Sequence, residues 1–256
     1  MKKFIKRGLS LILVAALSLS FNLAFATSEQ RQDVVNYMNK MANVPWIAGR
    51  DIEYWNPKYG IVFKCGENYF GVPYSQFLRN TSLETFKRLI KSGKYYGICG
   101  LGHTIPEGSD CSSAVSMAWQ LLNKDIPYLS TYDMIPTLDN PYIVKVGNYN
   151  VPEDATTSIE IIKNNEEDAM YNAYSELRPG DAVVTRGNDS GHVVLVKEVD
   201  ARNEEIIGIG QEGVNENGVC LGKDGKSTWR DNRRLSFDEL YSKNYIPITI
   251  KEFSCK

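Results

Sequence analysis

An α+β protein, with helices packed on an antiparallel sheet, is the fold class this sequence predicts, and three observations carry the prediction. Apolar residues recur at helical spacing in the first half of the chain. They give way after residue 180 to β-branched runs. Two of those runs, "GHVVLVKEVD" and "EEIIGIGQEG", are joined by the polar turn "DARN" and read as a hairpin.

The elements follow in order. Residues 1–26 carry Lys2, Lys3, Lys6 and Arg7, then an apolar run from Leu9 to Leu19, then Ala24-Phe25-Ala26. That order of charge, apolar core and small residues is a cleavable secretory signal, cut after Ala26, and places the mature protein outside the cell or at its envelope. The run is short for a membrane span, which needs roughly 20 apolar residues. "SEQRQDVVNYMNKM", 28–41, puts Val34, Val35, Met38 and Met41 on one helix face behind a serine that can cap it. The aromatic segment 44–60 reads as irregular packing, "YFGVPYSQ" as a turn into a helix start, and "SLETFKRLIKSG" as a helix with a glycine stop. The loop "GICGLGHTIPEGSD" lacks the spacing of a phosphate-binding loop.

From Cys111 to Leu122, Ala114, Val115, Ala118, Leu121 and Leu122 recur at three and four, so this segment reads as a helix buried on one face, capped by Ser109 or Asp110. Residues 126–165 read as an insertion with one strand-like stretch. After it come a helix at 166–177, a strand in "RPGDAVVTRG", the hairpin, and a closing helix and strand. The expected organisation is a signal at 1–26, an N-terminal extension at 27–68 and one main domain at 69–256.

The signal holds four of the 29 basic residues and none of the 31 acids, so the mature chain is near −6. Basic residues are scattered and "WRDNRR" is the longest cluster, which argues against nucleic-acid or anionic-membrane partners and favours an uncharged or cationic ligand. Two histidines give no metal-ligand spacing, and no metal or cofactor is expected. With five cysteines one thiol stays unpaired in a single chain, and the only pairing suggested is Cys65 with Cys99 and Cys220 with Cys255.

Cys111 is the candidate nucleophile. A thiol attacks as thiolate, which a helix N-terminus and a nearby imidazolium favour. The base is His103 or His192, and His192 is preferred because a strand holds a ring more rigidly than a glycine-rich loop does. The base needs an orienting partner. The paired strand returns Gln211 or Glu212 to the level of His192, and alternation lets only one share its face.

These residues resemble a known family. "SDCSSAVSMAW", "LRPGDAVV" and "SGHVVLVKEV", in that order, with "GVPYSQ" upstream, look like the NlpC-type cell-wall cysteine peptidases over about residues 70–250. The resemblance implies a papain-like fold, Cys111 as nucleophile, His192 as general base, and Gln211 rather than Glu212 as the third polar residue. It also implies Tyr74, Asp110 and Ser112 beside the reacting group. The implied activity is hydrolysis of amide bonds in peptidoglycan stem peptides after a γ-linked D-glutamate, by a monomer acting on peptidoglycan or peptide. Ser113 stands where the family commonly has glycine, and no Trp-Gly-Gly follows "PYSQ". Two rival readings keep the same residues: a CHAP-like amidase or cross-bridge endopeptidase, and an inactive secreted binding protein.

Overall fold

A computed structural model describes residues 27–100, 102–137 and 140–254. The expected signal and Cys255 lie outside the described residues. The architecture is mixed α+β, and among the described residues no helix is long and apolar enough to cross a membrane.

The first helix, α1, spans Ser28–Asn43, and its cap is Thr27 rather than Ser28. The Thr27 side chain accepts from the Gln30 amide while the Gln30 side chain reaches back to Thr27 N, a reciprocal pair that satisfies two otherwise orphaned donors. Val34, Val35, Met38 and Met41 are buried, as their spacing requires. Helix α2, Leu83–Leu89, starts at Ser82 and ends well before Gly93. The segment read as irregular contains short strands. Pro45–Ala48 pairs antiparallel with Asn68–Phe70 and parallel with Lys94–Tyr95. Trp46 sits at the centre of that small sheet, with ring centroids of Phe63, Tyr69 and Tyr95 at 5.0–5.3 Å. The stretch "YFGVPYSQ" forms no helix. Its backbone instead ladders onto the residues before Cys111, Ser109 N donating to Pro73 O at 3.1 Å and Ser75 N to Ser109 O at 2.9 Å.

The main sheet has six strands: β1 (Ile143–Lys145), β2 (Ala182–Arg186), β3 (Gly191–Asp200), β4 (Glu205–Gln211), β5 (Trp229–Ser236) and β6 (Ile246–Ile250). Their spatial order is β5-β4-β3-β2-β6-β1, antiparallel throughout. The segment 126–165 is therefore more than an insertion, because it supplies the edge strand β1 and the helix α4, Ser158–Lys163. Helix α5, Glu167–Ser175, and helix α6, Phe237–Ser242, cover β6 and β5 respectively.

Helix α3, Cys111–Trp119, packs on β3 and β4 with Ala114, Val115, Ala118 and Trp119 fully buried. It stops at Trp119, three residues short of the expected end, so Leu121 is half exposed instead of packed. The Pro-Gly-Asp motif before β2 is a structural joint. Asp181 accepts from the Arg178 amide at 2.8 Å, from Arg31 of α1 at 2.8 Å and from Thr249 of β6, which ties three elements to one buried carboxylate. The expected Cys65–Cys99 disulfide is not formed, and the expected partner of Cys220 lies outside the described residues. Cys65, Cys99 and Cys220 are free thiols, and Cys99 Sγ accepts from Arg50 Nη1 at 2.7 Å rather than bonding Cys65. Burial pushes the Cys220 thiol up to about 12.

Candidate active site

Cys111 is the first residue of α3. Asp110 precedes it as the cap: one carboxylate oxygen accepts from the Ser113 amide at 2.7 Å and the Ser113 hydroxyl receives the Asp110 amide at 2.9 Å. The helix start is thereby fixed by two reciprocal bonds, and the sulfur is placed at the positive end of the peptide dipoles. Ser109 and Ser112 are buried on either side, and Cys111 itself is 6% exposed, open only to the cleft. Gly108 is obligatory in this turn, since a Cβ there would stand 2.0 Å from Pro73 O and force apart the ladder that carries Tyr74 to the sulfur.

His192 is the second residue of β3, and the Cys111 side chain lies near enough to its ring to raise its pKa. The Nε2 atom meets Glu212 Oε1 at 3.2 Å, which leaves Nδ1 as the nitrogen for the thiol. Burial alone would discharge the imidazolium. The Cys111 sulfur and the Glu212 carboxylate outweigh it and push the His192 pKa up to about 10. Burial alone would raise the Glu212 carboxyl, but His192 and Arg233 together outweigh it and hold its pKa down at about 2.

The residue that meets the His192 ring is thus Glu212, while Gln211, expected there from the resemblance, does not reach it, and the reason lies in the sheet register. From the turn, Asp200 pairs with Glu205 and Val199 with Ile206. At Lys197 a β-bulge inserts one unpaired residue, after which Val196 faces Gly208 and Leu195 faces Ile209. Extending that register by three residues sets His192 opposite Glu212, on the same side of the sheet. Gln211 is turned away. It is fully buried, accepts from Ser109 Oγ at 2.7 Å and donates to Val72 O at 2.8 Å, so it braces the segment before the cysteine without touching the imidazole.

His103 stands apart from this cluster. It begins the second strand of the exposed hairpin Ile98–Gly100/His103–Ile105 and holds Glu53 through Nδ1 at 2.8 Å.

A cleft of about 730 Å³ opens over Cys111, walled by Tyr74, Gln76, Arg79, Tyr128, Thr131 and Arg186 among others. Tyr74 stacks on Tyr54 at 5.9 Å, and its hydroxyl, raised by burial and by the neighbouring Cys111, accepts from Gln76 Nε2 at 2.8 Å. Tyr128, from the segment 126–165, joins Ser112 at 3.1 Å and accepts from Arg79 at 3.0 Å. Arg79 also reaches Asp110 at 3.4 Å. The lining carries Lys58, Arg79 and Arg186 against Asp110 and Asp189. Arg186 spends its guanidinium on neutral oxygens, Thr131 Oγ1 at 3.5 Å and Asn188 O at 3.0 Å. The cleft is therefore richer in cations than the acidic chain as a whole, and the preference for uncharged or cationic ligands read from net charge does not describe it.

Sequence reasoning brings Cys111, His192, Tyr74, Asp110 and Ser112 to one place. It misses Tyr128 and Arg233. Comparison with protein-family models, curated proteins and solved structures gives no match to this chain.

Proposed function

We propose that this protein is a cysteine peptidase of NlpC type, with a papain-like arrangement of helix and sheet, that hydrolyses amide bonds in peptidoglycan stem peptides after a γ-linked D-glutamate. The observation that carries the reading is a helix-start thiol that acts on an imidazole whose Nε2 meets a largely buried carboxylate. The cleft cations supply a second, weaker support. Arg186 and Lys58 make no ion pair among the described residues and suit a substrate that carries carboxylates, as such a glutamyl peptide does.

The steps follow from the geometry. The Cys111 thiolate adds to the scissile carbonyl carbon while His192 holds the proton on Nδ1. The developing oxyanion meets the amides of the first turn of α3. Asp110 already occupies the Ser113 amide, so those of Cys111 and Ser112 remain for it. Tyr74, kept neutral by burial, offers a hydroxyl on the same wall. His192 gives its proton to the leaving nitrogen, the C–N bond breaks, and a thioester is left on Cys111. A water molecule then surrenders a proton to His192, adds to the thioester carbon, and expels the thiolate.

The test is digestion of purified peptidoglycan fragments with products identified by mass spectrometry. The reading expects a new free γ-carboxyl on D-glutamate, and Cys111→Ala is expected to give none. Release of the sugar-linked L-alanine amine instead would assign a CHAP-like amidase. No cleavage of any wall fragment or peptide by the folded protein would leave a binding protein.

A further inference from the structure

Behind Glu212 stands a cation that the steps above do not use. Arg233 lies on β5 opposite Gly208, with its side chain 13% exposed. Its Nη1 donates to Glu212 Oε1 at 2.7 Å and its Nη2 to Glu239 Oε1 of α6 at 3.3 Å. The oxygen it holds is the one that meets His192 Nε2. Glu239 in turn takes Lys243 Nζ at 2.6 Å, and Tyr245, its hydroxyl raised by burial, lies against Arg233 and Glu212. The ionisable groups around the imidazole therefore run from Cys111 on α3 to His192, Glu212, Arg233, Glu239 and Lys243, with Tyr245 at the flank.

Glu212 follows the last residue of β4 and precedes Gly213, whose φ is +81°, so the chain leaves the sheet there. A glutamate at a strand end has three rotatable side-chain bonds, and one hydrogen bond to an imidazole does not fix it. Two donors from different directions on one oxygen do. Only a planar fork can reach Glu212 and Glu239 together, which a lysine ammonium, a single point of charge, cannot do in the same way. Both acids flank the arginine, so no two like charges are neighbours along the run.

We propose that Arg233 is a positioning residue, which locks the Glu212 carboxylate against His192 and so holds the imidazole in line with Cys111. The proposal rests on the cysteine-peptidase reading for its effect on rate, while its geometry can be tested without turnover.

Two histidines in the chain make the test accessible. In protein labelled with ¹⁵N-histidine, an Nε2–H held by Glu212 gives a downfield proton resonance that exchanges slowly with water. Its assignment to His192 follows from its persistence in His103→Ala. Arg233→Met is expected to speed that exchange roughly tenfold or to remove the signal, Arg233→Lys to restore part of the protection, and Glu212→Gln to abolish it. Kinetics on a cleaved stem peptide are expected to show kcat down roughly tenfold with KM kept. Should Arg233→Met fail to fold, Glu239→Gln, which releases one arm of the fork, is expected to speed exchange in the same direction by a smaller factor.

An unchanged signal in folded Arg233→Met, or unchanged exchange in Glu239→Gln when only that variant folds, overturns the proposal. So does the absence of any such signal in the parent protein. Loss of protection in Arg233→Met in a protein that cleaves no peptide supports the positioning role and overturns the peptidase reading instead.

Discussion

The two histidines stand in opposite circumstances although each touches a glutamate. His103 holds Glu53 at 2.8 Å on an exposed hairpin, its side chain 51% open to water. His192 holds Glu212 at the longer distance of 3.2 Å, between a thiol on one side and a shared carboxylate on the other. The shorter contact thus belongs to the histidine that lies outside the cleft. An exposed ion pair is screened and worth little, whereas a carboxylate that is itself buried and braced acts at full strength on the ring it faces. What sets His192 apart is that the Cys111 thiol and the Glu212 carboxylate both act on its ring, not the mere presence of an acid nearby.

The largest effect that contrasts them is on turnover. Cys111→Ala and His192→Ala are each expected to lower peptide hydrolysis at least about 10³-fold, in line with loss of one member of a nucleophile–base unit. His103→Ala is expected to leave it unchanged. Chromatography of stem-peptide digests measures all three, and equal losses for the two histidines would erase the contrast.

A smaller effect separates Glu212 from Gln211. Glu212→Gln is expected to cut kcat by roughly 10- to 100-fold and to lower the His192 midpoint, since the imidazolium loses its carboxylate. Gln211→Ala is expected instead to cost about 1–3 kcal/mol of stability by stranding the buried Ser109 hydroxyl, while Val72 O keeps its bond from Trp229 Nε1. Urea unfolding alongside steady-state kinetics distinguishes the two, and the reverse pattern would restore Gln211 as the third residue.

The smallest effects are in the pH dependence of stability. His192 is raised from 6.5 to about 10, so its stabilising contribution is complete below 6.5 and is lost as pH rises through about 10. Glu212 is lowered from 4.5 to about 2, so its contribution is complete above 4.5 and is lost as pH falls towards 2. Unfolding midpoints of the parent protein are expected to fall relative to His192→Ala at the alkaline end and relative to Glu212→Gln at the acid end. No such divergence would mean that neither group is coupled to the fold.

Much of this site is legible in the sequence, because periodicity is a local property. The spacing of Ala114, Val115 and Ala118 marks α3, and the run "HVVLV" marks β3, so Cys111 and His192 follow directly. The choice between Gln211 and Glu212 is not local. It depends on a one-residue bulge at Lys197, which reverses the face of everything beyond it and leaves no mark on a hairpin counted from its turn. Arg233 is hidden for a different reason. "WRDNRRLS" has no apolar alternation because β5 is a sheet-edge strand, whose outward positions carry charge. The longest basic cluster of the sequence is in fact an edge strand of the sheet, and one of its arginines points back to the site. Tyr128 lies in a segment without helical or strand periodicity, where only the fold brings it to Ser112.

The central claim is that Cys111, His192 and Glu212 form one electrostatic unit. Nuclear magnetic resonance titration of the single imidazole left in His103→Ala, with and without Cys111→Ala, tests it most directly. The account predicts a His192 midpoint near 10 that falls when the thiol is removed. A midpoint at or below the ordinary 6.5, or one indifferent to Cys111, would contradict it.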